Sequence, residues 1–143
     1  MFKSVFVVAA LTATSLAQNM NQVIDLGSNN FDSYMNWANG GAFVKFYAPW
    51  CGFCKKLAQP FAEMASTTGS QESKILIGQV NCDNEKALCQ RYKVRGYPTM
   101  LYFYNGNANN YIKYNGERDA SSLSSYVRSN YASSAQTSES ARK

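Results

Sequence analysis

An α/β fold, with a central mixed five-stranded sheet flanked by helices on both faces, is what this sequence predicts. Three observations carry that expectation. Ala42 to Ala48 is apolar at nearly every position, the mark of a central strand covered on both faces. Strand-like and helix-like segments alternate as β-α-β-α-β-α-β-β-α, and parallel neighbours need such crossovers. The last two strand-like runs flank Asn105-Gly106-Asn107, a connection suited to an antiparallel hairpin.

Taken in order, Val23 to Leu26 is a short β-branched run, an edge or near-edge strand. Asn30 is placed to cap a helix whose Phe31, Tyr34, Met35 and Ala38 recur at helical spacing, and Gly40-Gly41 ends it. After the central strand, Pro49 and Trp50 turn the chain into a helix running to about Thr67. Pro60 lies inside that helix and predicts a kink, because its missing N–H removes a bond to Lys56. Gly69 to Ser73 reads as a polar loop and Lys74 to Val80 as the next strand. Asp83 or Asn84 is expected to cap a short helix carrying Leu88, Cys89 and Tyr92. Thr99 to Tyr104 and Tyr111 to Tyr114 form the hairpin, Asn115-Gly116 turns the chain, and Asp119 caps a last helix with Leu123, Tyr126 and Val127. From Ala132 to Lys143 the chain is Ser-rich with almost no large apolar residues, so residues 132–143 are expected to be a disordered tail.

A chain of 143 residues is one domain in length and large enough for a real core. Lys3, the apolar run Val5 to Leu11 and the small residues of Ser15-Leu16-Ala17 read as a secretory leader over residues 1–17, too short to span a membrane. The folded domain is then 18–131, lumenal in the endoplasmic reticulum or secreted. Residues 140–143 are not a retrieval signal of the Lys-Asp-Glu-Leu type. The formal charge is +5, but the basic residues are scattered along the chain, which argues against a nucleic-acid partner.

Chemistry concentrates in Phe46-Tyr47-Ala48-Pro49-Trp50-Cys51-Gly52-Phe53-Cys54-Lys55-Lys56. A helix N-terminus carries unpaired N–H groups and partial positive charge, which stabilise a thiolate. Cys51 falls in that first turn. Leu57, Ala58, Phe61 and Ala65 follow Cys54 at helical spacing, which puts Cys54 on the apolar stripe. Cys51 is thus the exposed nucleophile and Cys54 the shielded resolving thiol of a redox pair. The bland reading of the same spacing is an inert structural disulfide.

The segment from Phe46 to Lys55 resembles the active-site segment of a protein disulfide isomerase domain of the thioredoxin superfamily. Val94-Arg95-Gly96-Tyr97-Pro98-Thr99 is similar to that family's cis-proline segment. The similarity runs from about Val23 to Tyr131. It implies the thioredoxin fold and a cis Tyr97–Pro98 bond facing the dithiol, where neighbouring backbone pairs with extended substrate. Trp50, Gly52, Phe53, Tyr97 and Pro98 would then bind substrate, and Arg95 would approach the resolving cysteine and help it ionise. Similar cysteine pairs in such domains imply a structural disulfide between Cys82 and Cys89. The rival is an all-cysteine zinc site, which lacks the second tight knuckle that zinc usually takes.

Three departures from the pattern stand out. Phe53 occupies a position where many such domains carry His, and this chain has no histidine. With less to stabilise the Cys51 thiolate, the disulfide should be a weaker oxidant than protein disulfide isomerase. Lys45 stands where a buried acid is common. It is either a desolvated base for Cys54 or a side chain that snorkels to solvent, and the rarity of buried lysines favours snorkelling. Pro60 stands one residue after the usual helix-kinking proline, where this chain has Gln59.

The function expected is a thiol–disulfide oxidoreductase, a protein disulfide isomerase-like enzyme acting through its Cys-Gly-Phe-Cys dithiol. Its partners would be protein or peptide thiols and disulfides, with glutathione among them. No cofactor, metal or membrane span is expected, the protein should be a monomer, and isomerase activity on large substrates should be weak. The other reading is a thioredoxin-fold binding module that docks partners on Trp50, Phe53 and Tyr97, its redox activity incidental.

Overall fold

A computed structural model describes residues 23–69 and 75–142, so the expected leader and the 70–73 part of the polar loop lie outside the described residues. The elements are β1 (Ile24–Asp25), α1 (Phe31–Trp37), β2 (Gly41–Tyr47), α2 (Gly52–Gly69), β3 (Ile75–Asn81), α3 (Lys86–Arg91), β4 (Thr99–Phe103), β5 (Tyr111–Lys113) and α4 (Ala120–Arg142). They follow the predicted alternation. The five strands form one sheet in the order β1-β3-β2-β4-β5. β3 runs parallel to β1 and β2, while β4 is antiparallel to β2 and to β5. β2 is therefore flanked on both edges, as its apolar run requires.

Alternation along β2 divides the core into two clusters. Ala42, Val44 and Phe46 pack with Phe31 and Met35 of α1, Leu88 and Cys89 of α3, and Tyr92, Leu101 and Phe103. Phe43 faces the other way, among Leu57, Phe61 and Met64 of α2, Leu123 and Val127 of α4, and Tyr102 and Tyr114. Successive strand side chains point to opposite faces, so one apolar run supplies both layers.

The caps differ from expectation in an instructive way. Asn30 precedes α1 but makes no side-chain cap. Its Oδ1 accepts from the Gly27 N–H at 2.7 Å and its Nδ2 donates to the Asp25 carbonyl at 3.1 Å. Neither Asp83 nor Asn84 caps α3, whose N-cap is Glu85. The Asp83 carboxylate instead accepts from Trp50 Nε1 at 3.3 Å. Asp119 does cap α4, accepting from the Ser122 N–H at 2.8 Å, and this bond holds its carboxyl below the usual range. Helix α2 continues through Pro60 to Gly69. Helix α4 continues to Arg142, through the segment whose composition predicts disorder. No Gly or Pro interrupts those residues, and Ala, Gln, Glu and Arg are good helix formers.

Cys82 and Cys89 form a disulfide across the β3–α3 connection, with Cα atoms 5.8 Å apart and both side chains buried. Paired in this way, the two sulfurs are not available as metal ligands. Closing so short a loop restricts the unfolded chain by about 2 kcal/mol. A Cys82→Ala/Cys89→Ala double variant should lose about that much in guanidinium unfolding, with the m-value raised by the more expanded denatured state. An unchanged midpoint would show that the disulfide adds nothing to stability.

Candidate active site

The dithiol stands where β2 hands over to α2. Cys51 is the residue before that helix, and its carbonyl accepts the first helical bond, from Lys55 N–H at 3.1 Å. Its sulfur is therefore held against the unpaired N–H groups of the first turn. The Cys51 thiol is lowered from its usual range, first by the Cys54 N–H, then by the Cys54 thiol and the Phe53 N–H, with Arg118 adding its positive field. Cys54 is 5% exposed and moves the opposite way, raised chiefly by burial and only partly offset, first by a hydrogen bond from the Ala48 backbone and least by Lys45. One thiol is thus activated and accessible, and its neighbour within hydrogen-bonding reach is protected. The apolar stripe forms as expected at Leu57, Phe61 and Ala65, while Ala58 faces solvent.

Across from Cys51 the Tyr97–Pro98 peptide bond is cis. It brings the Tyr97 carbonyl to 3.5 Å from Cys51 Sγ, which donates to it. Pro98 is buried, while Trp50 and Phe53 are 66% and 64% exposed. The Trp50 and Tyr97 rings meet edge to face at 5.9 Å. Gly52 has open space around it, so a side chain there would meet no neighbour. Of these five residues, Tyr97 meets the Cys51 sulfur and Trp50 meets Tyr97, while Gly52 and Phe53 follow Cys51 along the chain.

Lys45 points from β2 toward α2. It is 5% exposed, with Nζ 4.9 Å from the Phe61 ring centroid and 5.5 Å from that of Tyr47. Burial lowers its pKa, opposed by the fields of Cys54 and Asp25. It lies in a cross-strand row: Lys45 pairs in register with Gln79 of β3, and Gln79 with Asp25 of β1. Gln79 Nε2 donates to the Asp25 carboxylate at 2.7 Å, which ties the outer end of that row.

Arg95 is exposed and lines a cleft with Tyr97 and Pro98. The arginine whose field reaches Cys51 is Arg118, in the turn before α4. Nothing in the local pattern marks it, because its proximity to the dithiol arises only when α4 packs on α2. Among the described residues, no cluster of three or more His, Cys, Asp or Glu side chains is arranged to hold a metal.

Comparison with known proteins agrees with this geometry. The thioredoxin family model matches residues 22–129. Protein disulfide-isomerase 1 of Dictyostelium discoideum is 40% identical over 120 residues, covering 82% of this chain and 32% of that protein. Protein disulfide-isomerase erp38 of Neurospora crassa is 39% identical over 121 residues, 85% of this chain and 32% of its own. This chain spans about a third of the length of these curated relatives. Among solved structures, the zinc-bound form of human ERp44 superposes with a TM-score of 0.70 at 30% identity, over 77% of this chain and 31% of that one. The first thioredoxin domain of mouse protein disulfide-isomerase A4 superposes with a TM-score of 0.68 at 29% identity, covering 78% of this chain and 76% of that one.

Proposed function

The chain belongs to the thioredoxin family and has its fold, and from that premise we propose that it is a thiol–disulfide oxidoreductase acting on protein and peptide disulfides through Cys51 and Cys54. One observation carries the reading: an activated Cys51 sulfur facing the Tyr97 carbonyl beside a cis proline, with a protected second thiol in reach. The Cys51 thiolate attacks a substrate disulfide, forming a mixed disulfide and releasing one substrate thiolate. Cys54 then loses its proton and attacks Cys51 Sγ. The Cys51–Cys54 disulfide forms, the second substrate thiolate leaves, and two electrons have passed to the substrate. Extended substrate lies against the Tyr97 backbone, with Trp50 and Phe53 covering its side chains.

Lys45 serves the second attack. Burial favours its neutral amine, which takes the Cys54 proton, and the ammonium so formed then stabilises the Cys54 thiolate. Arg118 supports Cys51, and Arg95 enters as a cation facing substrate beside Tyr97. In a Lys45→Met variant the pH–rate limb of the resolving step should move to higher pH, because Cys54 loses a neighbouring cation. A superimposable profile would remove Lys45 from the chemistry. Stability has its own sign. Lys45 is held below 10.5 in the folded state, so the unfolded chain binds more protons in the window beneath that value, and folding stability rises with pH across it. The Met variant should lack this rise.

Phe53 supplies no charge to the thiolate, so the potential should fall between the roughly −270 mV of thioredoxin and the roughly −180 mV of protein disulfide isomerase. A glutathione titration of the mature chain, with free thiols counted by alkylation and mass, tests this. Two cysteines titrating together in that interval, with two staying oxidised, is the expected result; a dithiol that never titrates would overturn the enzyme reading. The exposed Trp50 and Phe53 rings favour one other reading, a binding module whose partner is retained when Cys51 is replaced. The leader-like residues 1–17 and the Cys82–Cys89 disulfide support an oxidising compartment, the endoplasmic reticulum lumen or outside the cell. We further infer a monomer and glutathione as a small-molecule partner. No helix among the described residues is long and apolar enough to cross a membrane.

A further inference from the structure

The surface on the two sides of the dithiol differs in the sign of its charge. Toward β1 and β3, a cleft of ≈ 340 Å³ is lined by Asp25, Glu85 and several asparagines, with no Lys or Arg. Toward β4 and β5, a cleft of ≈ 470 Å³ is lined by Lys93, Arg95 and Lys113, with no Asp or Glu. Strand order produces this polarity. Cys51 follows β2, which has β3 and β1 on one side and β4 and β5 on the other.

The basic cleft is continuous with the dithiol, because Tyr97 and Pro98 line it and the Tyr97 carbonyl also meets Cys51 Sγ. Arg95 is two residues before Tyr97, a reach of about 7 Å along extended chain. Lys93, Arg95 and Lys113 are all exposed, and the one ion pair among the described residues, Arg91–Asp32, involves none of them. Three like charges around one cleft repel each other without local compensation, and an anion laid between them relieves that repulsion. Lys93 also holds a φ of 55°, a left-handed conformation that Gly or Asn adopts at lower cost. A cation is kept at a position where the backbone prefers another residue.

We propose that the cleft formed by Lys93, Arg95 and Lys113 is a specificity site for acidic polypeptide, selecting substrates whose reactive cysteine is flanked by Asp or Glu. This rests on the oxidoreductase reading and adds the substrate class to it. A strand paired beside Tyr97 places its following residues over the cleft, where carboxylates meet the three cations. The rings of Tyr92 and Tyr111, 5.1 Å apart and both lining the cleft, give an apolar wall for the side-chain stems.

The test uses the mature chain and three peptides of equal length, each with one disulfide, whose flanking residues are acidic, neutral or basic. Reduction is followed with dithiothreitol as electron donor. At low ionic strength the acidic peptide should exceed the neutral one about tenfold in kcat/KM, from several weak exposed ion pairs acting together, and the basic peptide should fall below it. Salt should compress the series. In a Lys93→Gln/Lys113→Gln variant the acidic-to-neutral ratio should shrink to about threefold or less, through KM. Equal kcat/KM for acidic and neutral peptides, or a ratio that the variant leaves unchanged, overturns the specificity site while the oxidoreductase reading stands. Failure to reduce any of the three peptides overturns both.

Discussion

A Cys51→Ser variant should lose disulfide turnover by on the order of 10³-fold or more, falling to the rate of the reductant alone. Serine is close in shape, so the structure is retained while the nucleophile goes. Its hydroxyl is not ionised by the fields that lower a thiol, and the field of Arg118 and the first-turn N–H groups then has no thiolate to act upon. Cys54→Ser should fail differently. Cys51 still attacks, but nothing resolves the product, so a mixed disulfide accumulates and appears in non-reducing mass spectrometry at the mass of chain plus substrate. Trapping in Cys54→Ser together with silence in Cys51→Ser assigns the two roles. Equal residual turnover in both would mean that the sulfurs are interchangeable, contrary to their opposite burial.

The second large effect lies in the core. Phe43→Ala should cost about 3–5 kcal/mol, enough to remove much of the stability of a domain this size. Phe43 has no exposed surface, and its ring lies 5.6–5.7 Å from those of Phe61, Tyr114 and Tyr126. Those partners come from α2, the segment after β5, and α4, so one cavity would loosen all three. The surface control is Phe53→Ala, which should change stability by less than about 0.5 kcal/mol because that ring is already in water. Guanidinium unfolding of the pair separates the effects. A midpoint for Phe43→Ala within error of the parent would show that the cluster closes around the gap.

The sheet was legible because its signals are strong and local. Ala42 to Ala48 has no other solution than a doubly covered strand, and the turn residues at 105–107 and 115–116 mark its antiparallel end. Caps were less legible. Asn30 and Asp83 have the right chemistry for capping, but each found a competing partner, the Gly27 N–H for one and Trp50 for the other. Composition cannot rank such partners. The dithiol and its cis proline were read from their motifs, and their facing geometry follows from the fold. Lys45 was legible only in part, because a strand pattern shows that a side chain points at a helix, not whether that helix leaves an exit. The Phe61 and Tyr47 rings lie beside its amine. Arg118 had no signal, since its distance from Cys51 depends on a helix packing some sixty residues away in sequence.

The two-sided core bears on a hazard that every small domain with both kinds of sulfur pair meets. A reactive thiolate can attack its own chain's permanent disulfide and scramble it. Here Cys82 and Cys89 are both buried in the cluster that faces α1 and α3, while the activated Cys51 stands at the half-exposed junction of β2 and α2. Attack at sulfur needs a thiolate in line with the S–S bond, and the burial of both sulfurs opposes that approach. The chain can cycle its working pair through many rounds without its staple entering the exchange.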